Sequence, residues 1–259
     1  IEFAFPPAMK NLAEVNQVLK AKKSDLKSSK ELLKVLWVSG PKDHGPDEHD
    51  YPLQKERWKQ LLSMADSVEV TTVSRWPAPD QFAAADVIVF YWNYPEFNEE
   101  NGKQLDKFLQ RGGGLVYLHY AVDATDNPQA LADRIGLAWG GKPKFRHGRV
   151  ELNFSKNFNP ITQGFDKTVF EDETYWDLVK GSKEINVLAT ASEEGKDIPI
   201  LWTTTEGKGR VFVSILGHYN WTFDDPLFRI LLLRGIAWTG KEPIDRFEPL
   251  ATMGARISK

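Results

Sequence analysis

The sequence predicts an α/β protein with a doubly wound, mostly parallel sheet and additional antiparallel strands in its second half. Apolar runs alternate with helical patterns from residue 33 to residue 136, as in a parallel sheet covered by helices. Short strands joined by turn signals follow over residues 145–215. The apolar pattern PLFRILLLRGIAWTG (226–240) then predicts a buried closing helix.

The first 32 residues differ from the rest and are predicted to form an N-terminal helical arm, with residues 33–259 as the α/β domain. The segment NLAEVNQVLKAKKSDLKSSKELL places Leu12, Val15 and Val18 on one helical face. Such a face packs on the domain or on a second subunit, and a homodimer through this arm is therefore expected. An ordinary amphipathic surface helix is the alternative.

The sequence predicts the individual strands and helices of both halves of the domain. Apolar or β-branched runs predict the strands LLKVLWVSG (32–40), VEVTTVS (68–74), DVIVFYW (86–92) and LVYLH (115–119). Helical periodicity predicts the helices LQKERWKQLLSMA (53–65), EENGKQLDKFLQRGG (99–113) and PQALADRIG (128–136). In the second half, the turn signals EGKD and TEGKGR predict hairpins among INVLATA, IPILWTT and GRVFVSILG.

Composition excludes several classes of function. The net charge of −3 gives no reason to expect a nucleic-acid partner, and no apolar run is long enough for a membrane span. The absence of cysteine excludes disulfides, thiolate metal sites and a cysteine nucleophile. No nucleotide cofactor is expected. The start at Ile1 fits a removed signal peptide, so a periplasmic or exported location is expected, with the cytoplasm as the alternative.

The histidines mark the predicted site. Ligands of open parallel sheets bind beyond the carboxyl ends of the strands. His44 and His49 follow the first strand of the sheet, His119 ends the strand LVYLH, and His218 follows VFVSILG. Only His147 precedes a strand, so four of the five histidines fall just past the carboxyl ends of predicted strands.

The loop DHGPDEHDYP combines imidazoles with carboxylates, a donor set that suits a divalent cation such as zinc or manganese. His44 and His49 are the predicted metal ligands. Two alternatives remain open: these residues contact the substrate, or the loop is a solvated acidic turn whose side chains cap the next helix.

His119, Glu173 and His218 are the predicted catalytic residues. His119 ends an apolar strand before a helix, the position of a nucleophile elbow, and histidine there suits a general base. Glu173 lies in FEDETYWDL, which supplies a carboxylate for the histidines, although a bare charge run is more often a solvated turn. A histidine bonded to a backbone carbonyl at the edge of the core is the structural alternative for His119.

Aromatic and amide side chains near the same strand ends are predicted to bind a small-molecule carbohydrate, because rings offer apolar faces and polar edges. Packing of Trp221 beneath the closing helix is the alternative at that position. The predicted substrate-binding residues are Trp92, Asn93, Tyr94, Tyr120, Tyr175, Tyr219 and Trp221.

Residues 33–240 resemble the ThuA-like, or trehalose-utilisation, family. The resemblance rests on WVSGPKDHG, EHDYP, ADVIVFY, GGGLVYLHYA, NPITQGF followed by DETYW, and GKGRVFVSILGH followed by DPLFRILLLRGIAW, in that order and spacing. It implies the class I glutamine amidotransferase-like, flavodoxin-like fold. In that fold an elbow cysteine hydrolyses glutamine, and His119 stands in its place, so the resemblance implies a ligand or base and no amidotransferase activity.

The family also implies a role in the use of disaccharides or of their oxidised (keto) forms. Proton abstraction next to a carbonyl by histidine, assisted by a cation, is chemistry of this kind. Bulky Tyr117 argues against the strained turn of a true elbow. A carbohydrate-binding module without catalysis is the alternative function.

Overall fold

The computed structural model describes residues 5–20, 27–28, 30–93 and 97–258. The strands are β1 (Lys10–Asn11), β2 (Leu33–Ser39), β3 (Val68–Val73), β4 (Val87–Tyr91), β5 (Gly114–Leu118), β6 (Leu137–Ala138), β7 (Lys144–Phe154), β8 (Thr168–Trp176), β9 (Val179–Lys180), β10 (Asn186–Glu193), β11 (Lys196–Glu206), β12 (Gly209–Ser214) and β13 (Ile257–Ser258). The helices are α1 (Leu12–Leu19), α2 (Tyr51–Leu62), α3 (Pro79–Ala84), α4 (Glu99–Gln110), α5 (Pro128–Ile135), α6 (Asn220–Asp224) and α7 (Pro226–Thr239).

Nine strands form one mixed sheet in the order β3-β2-β4-β5-β12-β11-β10-β7-β8. The pairings from β3 to β12 are parallel, and those from β12 to β8 are antiparallel. The predicted α/β class is confirmed, and the antiparallel strands of the second half, which were also predicted, make the large sheet mixed. The two predicted hairpins join β10 to β11 and β11 to β12.

The parallel strands lie in the core. Every residue of β4 and β5 is buried, and only Lys34 of β2 is exposed, as expected for strands covered on both faces. Helix α7 is buried along its length except at Trp238, and it packs on β4, β5 and β12. None of the helices in the described ranges is long and apolar enough to cross a membrane.

The described part of the arm packs on its own domain. Strand β1 pairs with β13 in parallel, and the α1 side chains of Val15 and Val18 are buried in the core. The guanidinium of Arg234 on α7 donates a hydrogen bond to the carbonyl of Val18. Leu12, which the periodicity placed on the buried face, is 40% exposed. The homodimer through this arm stays a prediction.

The carboxyl ends of β2, β4, β5 and β12 meet at one edge of the sheet. The loops after β2 and β12 are tied together by an antiparallel bridge between Glu48 and Tyr219. The backbone N–H of His49 also donates to the carbonyl of His218 at 2.9 Å. These connections bring residues from distant parts of the sequence to a single place above the sheet.

Candidate functional site

His119 follows β5 directly and begins a short 3-10 helix, His119–Val122. Its φ of 53° lies in the left-handed region, which a side chain larger than glycine rarely adopts. The prediction that Tyr117 prevents a strained turn is therefore wrong. Tyr117 is buried against Phe90 of β4, so its bulk lies in the sheet packing and not in the turn. Gly217, with φ 137°, lets the neighbouring loop approach the Cβ of His119.

The loop after β2 folds inward through three left-handed residues, His44, Asp47 and His49. His49 is 2% exposed, whereas the side chain of His44 is 50% exposed. Asp50 caps α2 by accepting from the N–H of Leu53, so helix capping and an inward histidine coexist in one loop. Backbone strain of this kind concentrates at functional sites.

Polar atoms from β8 and from the loops after β2 and β12 converge on Nε2 of His119. Nε2 of His49 lies 2.8 Å away, the hydroxyl of Tyr175 2.8 Å, Oε2 of Glu173 3.2 Å and Nδ1 of His218 3.2 Å. All five side chains are almost completely buried. The sequence-predicted catalytic residues thus lie together, in contact with one predicted metal ligand.

Asp43 holds the outer side of this centre. Its Oδ1 accepts from Nδ1 of His49 at 2.7 Å and lies 2.8 Å from Nδ1 of His44. Its Oδ2 accepts a hydrogen bond from the side-chain amide of Asn93. Asn93 therefore contacts the site through Asp43, and His44 lies on the rim.

Glu173 and His218 form a buried pair, with Nδ1 of His218 2.8 Å from Oε2 of Glu173. Burial alone would raise the pKa of Glu173, but its contacts with the imidazoles of His119 and His218 hold that pKa well below its usual range. Burial alone would lower the pKa of His218, and the hydrogen bond and charge of Glu173 reverse that effect and raise it. Nε2 of His218 is buried and has no hydrogen-bond partner among the described residues.

Asp172 positions the loop that carries His218. This carboxylate is completely buried and accepts from the backbone N–H groups of Gly217 and His218 at 3.0 Å, and from the hydroxyl of Thr222. It points to the opposite face of β8 from Glu173, as alternation along a strand requires. Both carboxylates come from a strand, so the solvated turn considered for FEDETYWDL does not exist here.

His147 belongs to the same centre, which its place in the sequence did not indicate. It lies within β7 directly opposite Glu173 of β8, with Nε2 3.4 Å from Oε1 of that carboxylate. Its Nδ1 lies 2.9 Å from the hydroxyl of Tyr219. Burial lowers the pKa of His147. The register of β7 on β8 places it there, and no local sequence pattern specifies that register.

The predicted carbohydrate-binding aromatics fall into different environments. Trp92 is 4% exposed and packs against Trp76 and Phe90, and Trp221 is 7% exposed and stacks on Tyr219. Their ring faces are covered by protein, which argues against a sugar platform at either tryptophan. Tyr94 lies outside the described residues.

Further aromatic residues surround the centre. Tyr120 is half-buried above His49, and burial together with Asp123 raises its pKa to about 12. Trp139 packs edge-on against Tyr175 at 4.6 Å, and Phe145 beside it is 56% exposed. The sequence did not indicate Trp139, which follows the two-residue strand β6, or Phe145, which lies within β7, because neither follows one of the predicted strands at the site.

Fold and site together define an α/β protein with a buried histidine and carboxylate centre at the edge of a mixed sheet. The family model described as ThuA, trehalose utilisation, matches residues 34–239. The chain therefore belongs to the ThuA family, as the sequence motifs indicated, and this family description gives it a carbohydrate-related role. No curated protein sequence matches the chain.

Solved structures of similar fold cover most of the chain. A ThuA-like protein from Parabacteroides merdae is 21% identical, with a TM-score of 0.61 over 82% of this chain and 91% of its own. A ThuA-like protein from Bacteroides uniformis is 16% identical, with a TM-score of 0.64 over 83% and 95%. A cytoplasmic protein from Salmonella typhimurium is 14% identical, with a TM-score of 0.55 over 80% and 99%. At these identities the similarity shows the fold alone.

Proposed function

We propose that the protein is an enzyme that acts on a disaccharide, or on its oxidised keto form, by moving a proton at a carbon next to a carbonyl group. The observation that carries the proposal is the buried His218–Glu173 pair, in which Nε2 of His218 makes no hydrogen bond among the described residues and lies 3.8 Å from Oε1 of Glu48. The trehalose-utilisation family supports the choice of substrate class.

The hydrogen bonds support a specific role for each residue of the centre. Nδ1 of His218 donates to Glu173, which leaves a lone pair on Nε2 that can accept a proton from substrate. The ionised Glu173 carboxylate then stabilises the imidazolium that forms. Asp172 holds the backbone of His218 so that the ring keeps its position. Tyr120, whose hydroxyl keeps its proton at neutral pH, can donate a hydrogen bond to the carbonyl oxygen of a substrate.

The test is exchange of substrate hydrogen with solvent. Keto derivatives of trehalose and of other disaccharides, and reducing disaccharides, are incubated with the protein in D₂O, and NMR follows the C–H groups beside the carbonyl. We expect deuterium incorporation or a new product with wild type, and at least a ~100-fold slower reaction with His218→Asn. Lys103→Ala, an exposed position on α4, is the control that retains full activity. If no sugar shows hydrogen exchange or a product, the proposed enzymatic function is refuted.

A carbohydrate-binding module is the second candidate, favoured by the exposed ring of Phe145, which packs beside Trp139. It predicts sugar binding in calorimetry that survives His218→Asn and is lost in Phe145→Ala or Trp139→Ala, without turnover. The enzyme therefore predicts that turnover depends on His218, whereas the binding module predicts that sugar binding depends on Phe145 and Trp139.

Two further parts of the sequence interpretation remain proposals. The order β3-β2-β4-β5-β12 is the 2-1-3-4-5 order of flavodoxin-like sheets, and this supports a doubly wound parallel layer. The comparisons lend no support to an exported location, and the cytoplasmic alternative is compatible with them.

A further inference from the structure

The hydrogen bonds fix which ring nitrogens of two histidines carry hydrogen. Nδ1 of His119 lies 2.7 Å from the backbone carbonyl of Ile215, which can only accept, so this nitrogen carries the N–H. Nδ1 of His49 lies 2.7 Å from the carboxylate of Asp43, which assigns the N–H of His49 to Nδ1. In the neutral rings both Nε2 atoms are therefore bare lone pairs.

Those two lone pairs face each other. Nε2 of His49 and Nε2 of His119 are 2.8 Å apart, and neither ring can donate to the other in these tautomers. The Tyr175 hydroxyl lies close enough to donate to His119, which still leaves Nε2 of His49 without a hydrogen. Two buried lone pairs at this distance repel unless a positive charge lies between them.

The same region contains two buried carboxyl groups, those of Glu173 and Asp172. Among the described residues, the ion pairs of Glu173 are with histidines alone, and no lysine or arginine pairs with Glu173 or Asp172. Buried carboxylates require compensation by an opposite charge.

We propose that Nε2 of His49, Nε2 of His119 and a carboxylate oxygen of Glu173 hold a divalent transition-metal ion such as zinc. Two histidines and one glutamate are a common ligand set of catalytic zinc, with a further position open for water or substrate. Ligands about 2.0 Å from a tetrahedral zinc are about 3.3 Å apart. The distances of 2.8 Å between the histidines and 3.2 Å from His119 to Glu173 need only small ring movements to match.

The surrounding contacts fit such a site. Ligating histidines generally donate their other N–H to a carboxylate or a backbone carbonyl, and Asp43 and Ile215 occupy those two roles. Two imidazoles favour zinc over manganese. The ligand set differs from the sequence prediction, because it keeps His49 and replaces His44, whose ring lies on the rim and contacts Asp43. The proposed metal site adds a cofactor to the proposed function, and it depends on that function only for the identity of the substrate.

Metal binding is tested without any sugar, so its outcome is separate from that of the exchange assay. Tag-free protein is stripped with chelator and titrated with Zn²⁺ in a calorimeter, and Co²⁺ binding is followed by visible absorption. We expect one Zn²⁺ per chain. His119→Asn and Glu173→Gln each lower the affinity more than about 100-fold, and Asp43→Asn, which changes an orienting contact, lowers it about 10- to 100-fold. Circular dichroism checks that each variant is folded.

His44→Asn distinguishes the two ligand sets. We expect its Zn²⁺ affinity to stay within about threefold of wild type, because His44 is outside the proposed set. A large loss in His44→Asn with none in Glu173→Gln would move the ion to the Asp43–His44–His49 loop and overturn the proposal. Failure of wild type to bind Zn²⁺, Co²⁺, Mn²⁺ or Fe²⁺ at one ion per chain would also overturn it.

Discussion

Arg234 connects three segments to the closing helix α7 and is completely buried. It donates to the carboxylate of Glu248 at 2.6 and 3.1 Å. It also donates to the carbonyls of Ile161 at 3.3 Å, Gln163 at 2.7 Å and Val18 at 3.3 Å. One guanidinium thus holds the N-terminal arm, the 161–163 turn and the C-terminal region together.

Replacement of Arg234 by methionine keeps most of the side-chain length and removes every one of these donors. Glu248 is then a largely buried carboxylate without its partner, and breaking a buried ion pair on one side costs about 3–5 kcal/mol. Three carbonyls lose a charged donor as well, although nearby solvent can reach part of the gap. We therefore expect Arg234→Met to lower the free energy of unfolding by about 4 kcal/mol.

Urea unfolding followed by tryptophan fluorescence measures this change. The matched control is Arg210→Met, because Arg210 donates one hydrogen bond to the carbonyl of Trp238 and covers its ring, without a buried carboxylate. That control should cost about 1 kcal/mol. If Arg234→Met costs no more than Arg210→Met, the argument that Glu248 is left as an uncompensated buried charge is refuted.

Three further changes test other parts of the structure by the same unfolding assay. Burial raises the pKa of Asp225 to about 6, so the stability that its protonated form contributes is fully present below pH ~4 and is lost as the pH rises through 6. Between pH 4 and pH 8, the free energy of unfolding of Asp225→Asn should therefore rise by about 3 kcal/mol relative to that of wild type. A difference that stays constant with pH would contradict this prediction. Gly136 has a φ of 102°, and an added Cβ would lie 2.2 Å from Cγ2 of Ile185. Gly136→Ala should therefore lower the free energy of unfolding by about 2 kcal/mol or more, and a neutral effect would contradict this close packing. Thr222→Val removes a hydroxyl that donates to buried Asp172 and should cost about 1.5–3 kcal/mol, whereas a change below 0.5 kcal/mol would show that this bond is dispensable.

Local sequence patterns predicted the elements well because each pattern is set by near neighbours. The buried runs of β2, β4 and β5 and the hairpins around β11 follow from hydrophobicity and turn residues. The sheet as a whole did not follow, because the pairing of β7 with β10 and β8 depends on contacts across loops without a turn signal. The strand β8 was hidden by its carboxylates, which resemble a solvated turn in sequence.

The candidate site shows the same division. The rule that ligands bind beyond parallel strand ends brought His49, His119 and His218 to one region, where the structure also places them. It could not include His147, whose place opposite Glu173 depends on the register of two antiparallel strands. The rule also could not distinguish a core aromatic residue such as Trp92 from a partly exposed one such as Tyr120, since both follow predicted strands.

The place of β12 in the sheet has a consequence for synthesis of the chain. It lies between β5 and β11, so the fifth parallel strand is made only after residues 119–208 have left the ribosome. Until then the apolar edge of β5 has no partner, and open edges of this kind promote association between nascent chains. Folding of the parallel layer must wait for the antiparallel hairpin, and we expect slow refolding and a requirement for chaperones that a shorter, locally connected sheet would not have.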